Sequence, residues 1–168
     1  MDFEVDQRQL ASIMKRLDNV SPEDKYRVLR RAMDSVMNVV RNQLVQNTSG
    51  KILNVRTGRL RSSMQSRVFA SGSIGTMIGV AGSGVLQGNR VKYANIHETG
   101  GVIRPKKGKY LTIPIRSGKA SHSSKIEGFR RVKQVTIPAR KYMSKSLEEV
   151  SDRLIDVLKA GINKGLEG

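Results

Sequence analysis

The residues best suited to chemistry are few here, and their spacing withholds the common catalytic arrangements. His97-Glu98 is an HE pair, but a zinc protease helix needs a second His one turn on, and position 101 is Gly. The pair reads instead as a polar turn or helix-end pair. His122 is the only other histidine, and Glu98 and Glu127 are the sole carboxylates between residues 51 and 141. Paired-carboxylate catalysis needs two such groups flanking one bond, so that region offers no candidate pair. Gly82-x-Gly84-x-x-x-Gly88 superficially resembles a phosphate-binding loop, yet it lacks the Gly-Lys-Ser/Thr ending and a strand-to-helix context. The absence of cysteine removes disulfides, thiolate zinc sites and cysteine nucleophiles together. Met33 and Met143 sit in helical stripes and read as core residues rather than ligands. No catalytic, metal or cofactor site is expected; the chain reads as a protein that works by binding.

What the sequence has in abundance is positive charge, and it is confined to the middle. The formal net charge is +17, and residues 51–141 hold nineteen Lys/Arg against two Asp/Glu. The first fifty residues hold eight against seven, and residues 142–168 hold four against five. So many like charges repel one another in a compact monomer unless they face an anionic partner or counter-ions. Arg104, Lys106, Lys107, Lys109, Lys119, Lys125, Arg130, Arg131 and Lys133 are the candidate partner-facing cations. Each is able to neutralise a phosphate, which would make nucleic-acid affinity strongly salt-dependent. Against sequence-specific readout stand the scarcity of aromatic platforms, with three Phe, four Tyr and no Trp, and the lack of a helix-turn-helix. A basic surface facing protein or solvent remains open beside the nucleic-acid reading.

These residues must be positioned by elements the pattern predicts. A chain of 168 residues is the size of one domain, able to bury roughly 70% of its unfolded surface. Leu10, Ile13, Met14 and Leu17 share one face of a short first helix ending near Asp18-Asn19. Ser21-Pro22-Glu23-Asp24 starts a second, with a capping hydroxyl, a proline in the first turn and two carboxylates at the positive dipole end. Tyr26, Leu29, Met33, Val36, Val40 and Leu44 carry it to about Gln46, where Asn47-Thr48-Ser49-Gly50 breaks it. This helical part covers residues 1–48.

Residues 49–141 read as a basic, β-rich part. Gln65–Ala70 and Ser73–Ala81 form a hairpin through a tight Ser71-Gly72 turn, and a flexible loop follows near residues 82–90. Val102–Arg104 and Tyr110–Ile115 are expected to pair around Pro105-Lys106-Lys107-Gly108. Residues 117–133 are polar, lack a period and read as a mobile loop. Gln134–Ile137 is a last strand, ended by Pro138. Met143, Leu147, Val150, Leu154, Val157 or Leu158, and Ile162 mark one C-terminal helix over residues 142–164. Ser146-x-x-Glu149 is an internal start and Gly161 or Gly165 a stop. The fold expected is α+β: a small, mainly antiparallel sheet with the long N-terminal helix and the C-terminal helix packed on one face. An acidic Met1-Asp2-Phe3-Glu4 without a signal-peptide pattern, and no apolar run near 20 residues, predict a soluble chain with no membrane partner.

Three segments in order carry a resemblance: Arg56-Thr57-Gly58-Arg59-Leu60-Arg61-Ser62-Ser63-Met64, Tyr93-Ala94-Asn95-Ile96-His97-Glu98-Thr99-Gly100-Gly101, and Ile137-Pro138-Ala139-Arg140. Together they resemble the phage virion-morphogenesis and tail-completion proteins, including the Mu G-like and P2 S-like groups, and the related HK97-type neck proteins. Those families often continue the third segment with Pro-Phe-Leu, where this chain has Lys141-Tyr142-Met143. The resemblance implies a virion protein of the head-to-tail junction, assembled in the host cytoplasm as a sixfold or twelvefold homo-oligomeric ring around the DNA channel. Its implied partners are its own copies, neighbouring connector or portal-side proteins, tail-tube proteins, and channel DNA through backbone charge. The residues also have fold-building readings of their own. Thr57-Gly58 starts a short helical turn that places Leu60 and Met64 inward, Gly100-Gly101 permits a reversal, and Pro138 leaves Arg140 at a strand-to-helix corner.

Overall fold

The computed structural model describes residues 7–71, 76–85, 91–116 and 125–167. Helix α1 spans Gln7–Asp18 and buries Ile13 and Leu17, while Met14 stands outside. Helix α2 spans Pro22–Gln46, about 37 Å of rod. Ser21 Oγ accepts the Asp24 N–H at 3.2 Å, and Pro22 occupies the first turn, where no N–H is required. The buried apolar residues of α2 are Val28, Ala32, Val36, Met37 and Leu44; Val36 and Leu44 belong to the predicted face, while Tyr26 of that face is exposed and Leu29, Met33 and Val40 are half-buried. The chain leaves α2 through a π-helical turn, Asn47–Lys51, in which Gly50 adopts φ +121°, a conformation open to glycine.

The turn of helix expected at Thr57-Gly58 is α3, Arg59–Ser62, entered through Gly58 at φ +72°. Strands β1 (Met64–Ser71) and β2 (Thr76–Ser83) then pair antiparallel. Ser71 is itself paired, to Thr76, so the reversal is not at Ser71-Gly72; the connecting residues 72–75 lie outside the described residues. Of the expected loop near residues 82–90, Gly82 and Ser83 belong to β2 and residues 86–90 lie outside the described residues. After α4 (Ala94–Thr99) come β3 (Gly101–Ile103), β4 (Leu111–Arg116), β5 (Ile126–Val132) and β6 (Val135–Ile137). Helices α5 (Tyr142–Glu148) and α6 (Ser151–Glu167) close the chain.

The architecture is α+β with a long helix near the N-terminus and helices at the C-terminus, but among the described residues the strands form three antiparallel pairs instead of one sheet. Three further expectations are corrected. First, β3 pairs with β6 and β4 with β5, so the basic turn at residues 105–108 does not close a hairpin. Gly100, at φ +71°, lies so close to Ala139 and Ile137 that a Cβ would meet the Ala139 nitrogen at 2.7 Å, and this contact sets β3 beside β6. Second, residues 126–132 of the supposed loop are strand β5. Its apolar residues Ile126, Phe129 and Val132 recur every third position, matching neither strand nor helix, and the pairing slips at Ile115/Arg116. Third, the C-terminal helix is two helices, broken at Glu149-Val150, and neither glycine stops α6.

Those glycines serve packing. A Cβ on Gly161 would sit 2.8 Å from the Ala32 Cα, and one on Gly165 would sit 2.9 Å from Val28 Cγ1. The i, i+4 pair thus lets α6 lie on α2, its main contact, instead of on the strands. Two cores follow. Ile13, Leu17, Val28, Ala32 and Ile162 join α1, α2 and α6, while Leu44, Leu53, Met64 and Tyr142 join the far end of α2 to β1 and α5. Between them α2 covers the inner face of β1–β2, where Val68 is buried and Gly79 makes room for Met37. The outer face leaves Phe69, Ile78 and Val80 exposed, with the Arg67 guanidinium 4.9 Å from the Phe69 ring centre.

Candidate interaction surface

The two stretches 101–116 and 126–137 pair twice, first as β3–β6 and then as β4–β5. Between the two pairings, residues 104–110 on one chain face residues 133–134 on the other, so five surplus residues bulge outward. That bulge carries Arg104, Lys106, Lys107 and Lys109, all exposed; Gly108 at φ +86° turns it, and Arg104 Nε donates to Gln134 Oε1 at 3.3 Å. Lys133 is exposed on the opposite segment of the ribbon, and Lys125 is exposed just before β5. Lys119 lies outside the described residues.

Beyond the bulge, β4 and β5 make extensive contacts only with each other. Directly paired residues point to the same side of a ribbon. One side therefore holds Leu111, Ile113, Ile115, Gly128, Arg130 and Val132, and the other Thr112, Pro114, Phe129 and Arg131. Arg130 and Arg131 are exposed, and so are Ile113, Ile115 and Phe129, the last at 64%. The ribbon thus presents cations and bare apolar side chains on both sides.

The ribbon grows from a corner built by the segments at residues 93–101 and 137–140. Arg140 N–H donates to the His97 carbonyl at 2.8 Å, and Lys141 N–H to the Glu98 carbonyl at 3.3 Å. The Glu98 carboxylate accepts from Met143 N–H at 2.7 Å, Ser144 N–H at 3.1 Å and the Ser144 hydroxyl at 2.5 Å, capping α5. Ala94 is buried, and Tyr93, largely exposed, meets His97 edge-on at 5.9 Å. Burial, then the charge of Arg140, holds the His97 pKa below its usual value. Gly101 pairs with Ile137, and Pro138 follows β6 on the surface. Lys141 sits at φ +50°, where proline, fixed near −65°, has no place.

The segment at residues 56–64 reaches the same neighbourhood through the second core. Thr57 Oγ1 accepts from Arg59 N–H at 3.4 Å, and the Gly58 carbonyl accepts from Ser62 N–H at 2.9 Å. Leu60 then packs on the cluster that contains Met64 and fully buried Tyr142. Among the described residues the Tyr142 hydroxyl has no hydrogen-bond partner, and its burial, followed by the charge of Glu98, pushes its pKa up to about 12.

A polar knot that sequence reasoning missed locks α5 to the end of α2. Buried Asn47 donates to Ser146 Oγ at 2.8 Å and to Glu149 Oε2 at 3.0 Å; Gln43 reaches the same carboxylate at 2.5 Å. Lys51 Nζ lies 2.8 Å from Glu149 Oε1. Hydrogen bonding from Lys51, then from Asn47, holds the Glu149 pKa below the ordinary carboxylate value. Asn47 read as a helix breaker and Ser146-x-x-Glu149 as a helix start, and no spacing joins residues a hundred positions apart.

Among the described residues no group of three or more His, Asp or Glu is placed to hold a metal ion, and no helix is long and apolar enough to cross a membrane. No family model, curated protein or solved structure matches the chain.

Proposed function

We propose that this chain is a structural virion protein of a tailed phage, acting by binding at the head-to-tail junction as a sixfold or twelvefold ring around the DNA channel. The observation that carries this reading is the use to which the resembling segments are put. His97, Glu98, Gly100, Ala139 and Arg140 are joined backbone to backbone at the root of the basic ribbon, and Leu60 supports the same corner through Tyr142. A motif spent on anchoring a projecting, cation-bearing ribbon fits a protein whose work is assembly with its own copies and with connector and tail-tube neighbours.

The first test is the light-scattering mass of the purified protein at low and high salt, with and without duplex DNA. A six- or twelve-copy species that forms without DNA and survives high salt is expected. The competing reading is a free, sequence-independent DNA-binding protein, favoured by cations on both sides of the ribbon; it predicts association only on DNA, lost as salt rises. In the phage, reversing charge at Lys106, Lys107 and Lys109, all exposed, is expected to cut head-to-tail joining while leaving the thermal midpoint unchanged. Normal virion yield from that variant would remove the basic bulge from the mechanism.

A further inference from the structure

A ring needs two different surfaces on each copy, one meeting the other on the next copy. The basic ribbon supplies one, and the charge pattern points to the second. On α6, Asp152 lies nine residues before Gly161 and Asp156 nine before Gly165, two and a half turns in each case. The glycines press on α2, so both aspartates face outward, and both are exposed. Glu148, at the end of α5, is exposed, as is the apolar side chain of Leu147, and Lys145 and Arg153 are exposed on the same two helices. Among the described residues, ion pairs occupy Asp18, Asp24, Asp34 and Glu149, but not Glu148, Asp152 or Asp156.

The ribbon offers the complement. Its side with Ile113, Ile115 and Arg130 also contains Gly128, where a Cβ would meet nothing within 4 Å. A helix is thus able to lie close over Gly128, against the two isoleucines, with a guanidinium alongside. We infer that this side of the β4–β5 ribbon of one copy packs along the outer side of α5–α6 of a second copy, Arg130 facing Asp152 and Asp156 and the isoleucines meeting Leu147. The inference rests on the ring reading and names the contact that closes it. The same contact gives Arg130, Asp152 and Asp156 an ion-pair partner, which none of the three has among the ion pairs of the described residues.

The test is complementation between two variants of the full chain, Arg130→Glu and Asp152→Lys/Asp156→Lys, followed by sedimentation velocity. Each variant alone is expected to associate about tenfold or more weakly than the unaltered protein. An equimolar mixture is expected to recover assembly, because each reversed surface then meets its reversed counterpart. Arg131→Glu, on the other side of the ribbon, is expected to leave association unchanged. If Arg130→Glu and the α6 variant each assemble like the unaltered protein, the contact is wrong while the ring stands. If the unaltered protein never exceeds one copy, the ring reading falls and the contact with it. Should the lysine variant melt early, Asp152→Asn/Asp156→Asn replaces it, with weakened association expected and normal association overturning the contact.

Discussion

Where α2 meets α6, two backbones approach until Gly161 has no room for a methyl group against Ala32. Along β4–β5, Ile115 and Phe129 stand 48% and 64% exposed. The first region spends its apolar surface inside the chain, and the second keeps apolar surface and charge facing outward. Internal packing of this kind tolerates almost no added volume. An outward ribbon tolerates substitution for stability while remaining sensitive for binding. Stability and assembly should therefore separate cleanly by mutation.

The strongest way to break this contrast is Gly161→Val. Its added atoms meet α2 backbone, so a loss of about 3 kcal/mol and a fall of roughly 6–12 °C in Tm are expected by calorimetry. A Tm within a degree of the unaltered protein would mean that α6 slides freely and that the seam is not the tight region. Asn47→Leu tests the other end of α2. It leaves the Glu149 carboxylate without one of its donors, and a loss of about 1–3 kcal/mol is expected from urea unfolding.

Smaller still is the acid dependence of the same knot. The folded-state pKa of Glu149 is depressed, so its contribution is full above the ordinary value of 4.5 and is lost as pH falls through the folded-state value. Glu149→Gln should flatten the urea midpoint over that window and leave its slope at neutral pH alone. At the bottom of the scale, Arg130→Glu on the ribbon should shift stability by less than about 0.5 kcal/mol. A large loss there would show the ribbon to be part of the folding core.

Much of the fold was legible because it follows from local chemistry. Ser21 and Pro22 start α2 where a hydroxyl cap and a donor-free residue belong, and the β1–β2 alternation sets Val68 inward and Phe69 outward. The cations were legible as a class, and the structure lays Arg104, Lys106, Lys107, Lys109, Arg130, Arg131 and Lys133 on or beside one two-chain ribbon. Strand β5 was hidden by its three-residue apolar spacing. The break in the C-terminal helices was hidden too, since Val150 continues the apolar period; the turn leaves Glu149 on the Lys51–Asn47 knot.

By itself the sequence determined the long capped helix, the α+β class and a positive charge concentrated in residues 51–141, because caps, periodicity and charge are properties of neighbouring residues. Only the tertiary structure decided that β3 takes β6 and β4 takes β5, that Gly161 and Gly165 join helices instead of ending one, and that Glu98 caps α5. Each of those depends on backbones or side chains distant in sequence coming within a few ångströms, and no local pattern encodes which distant pair will meet.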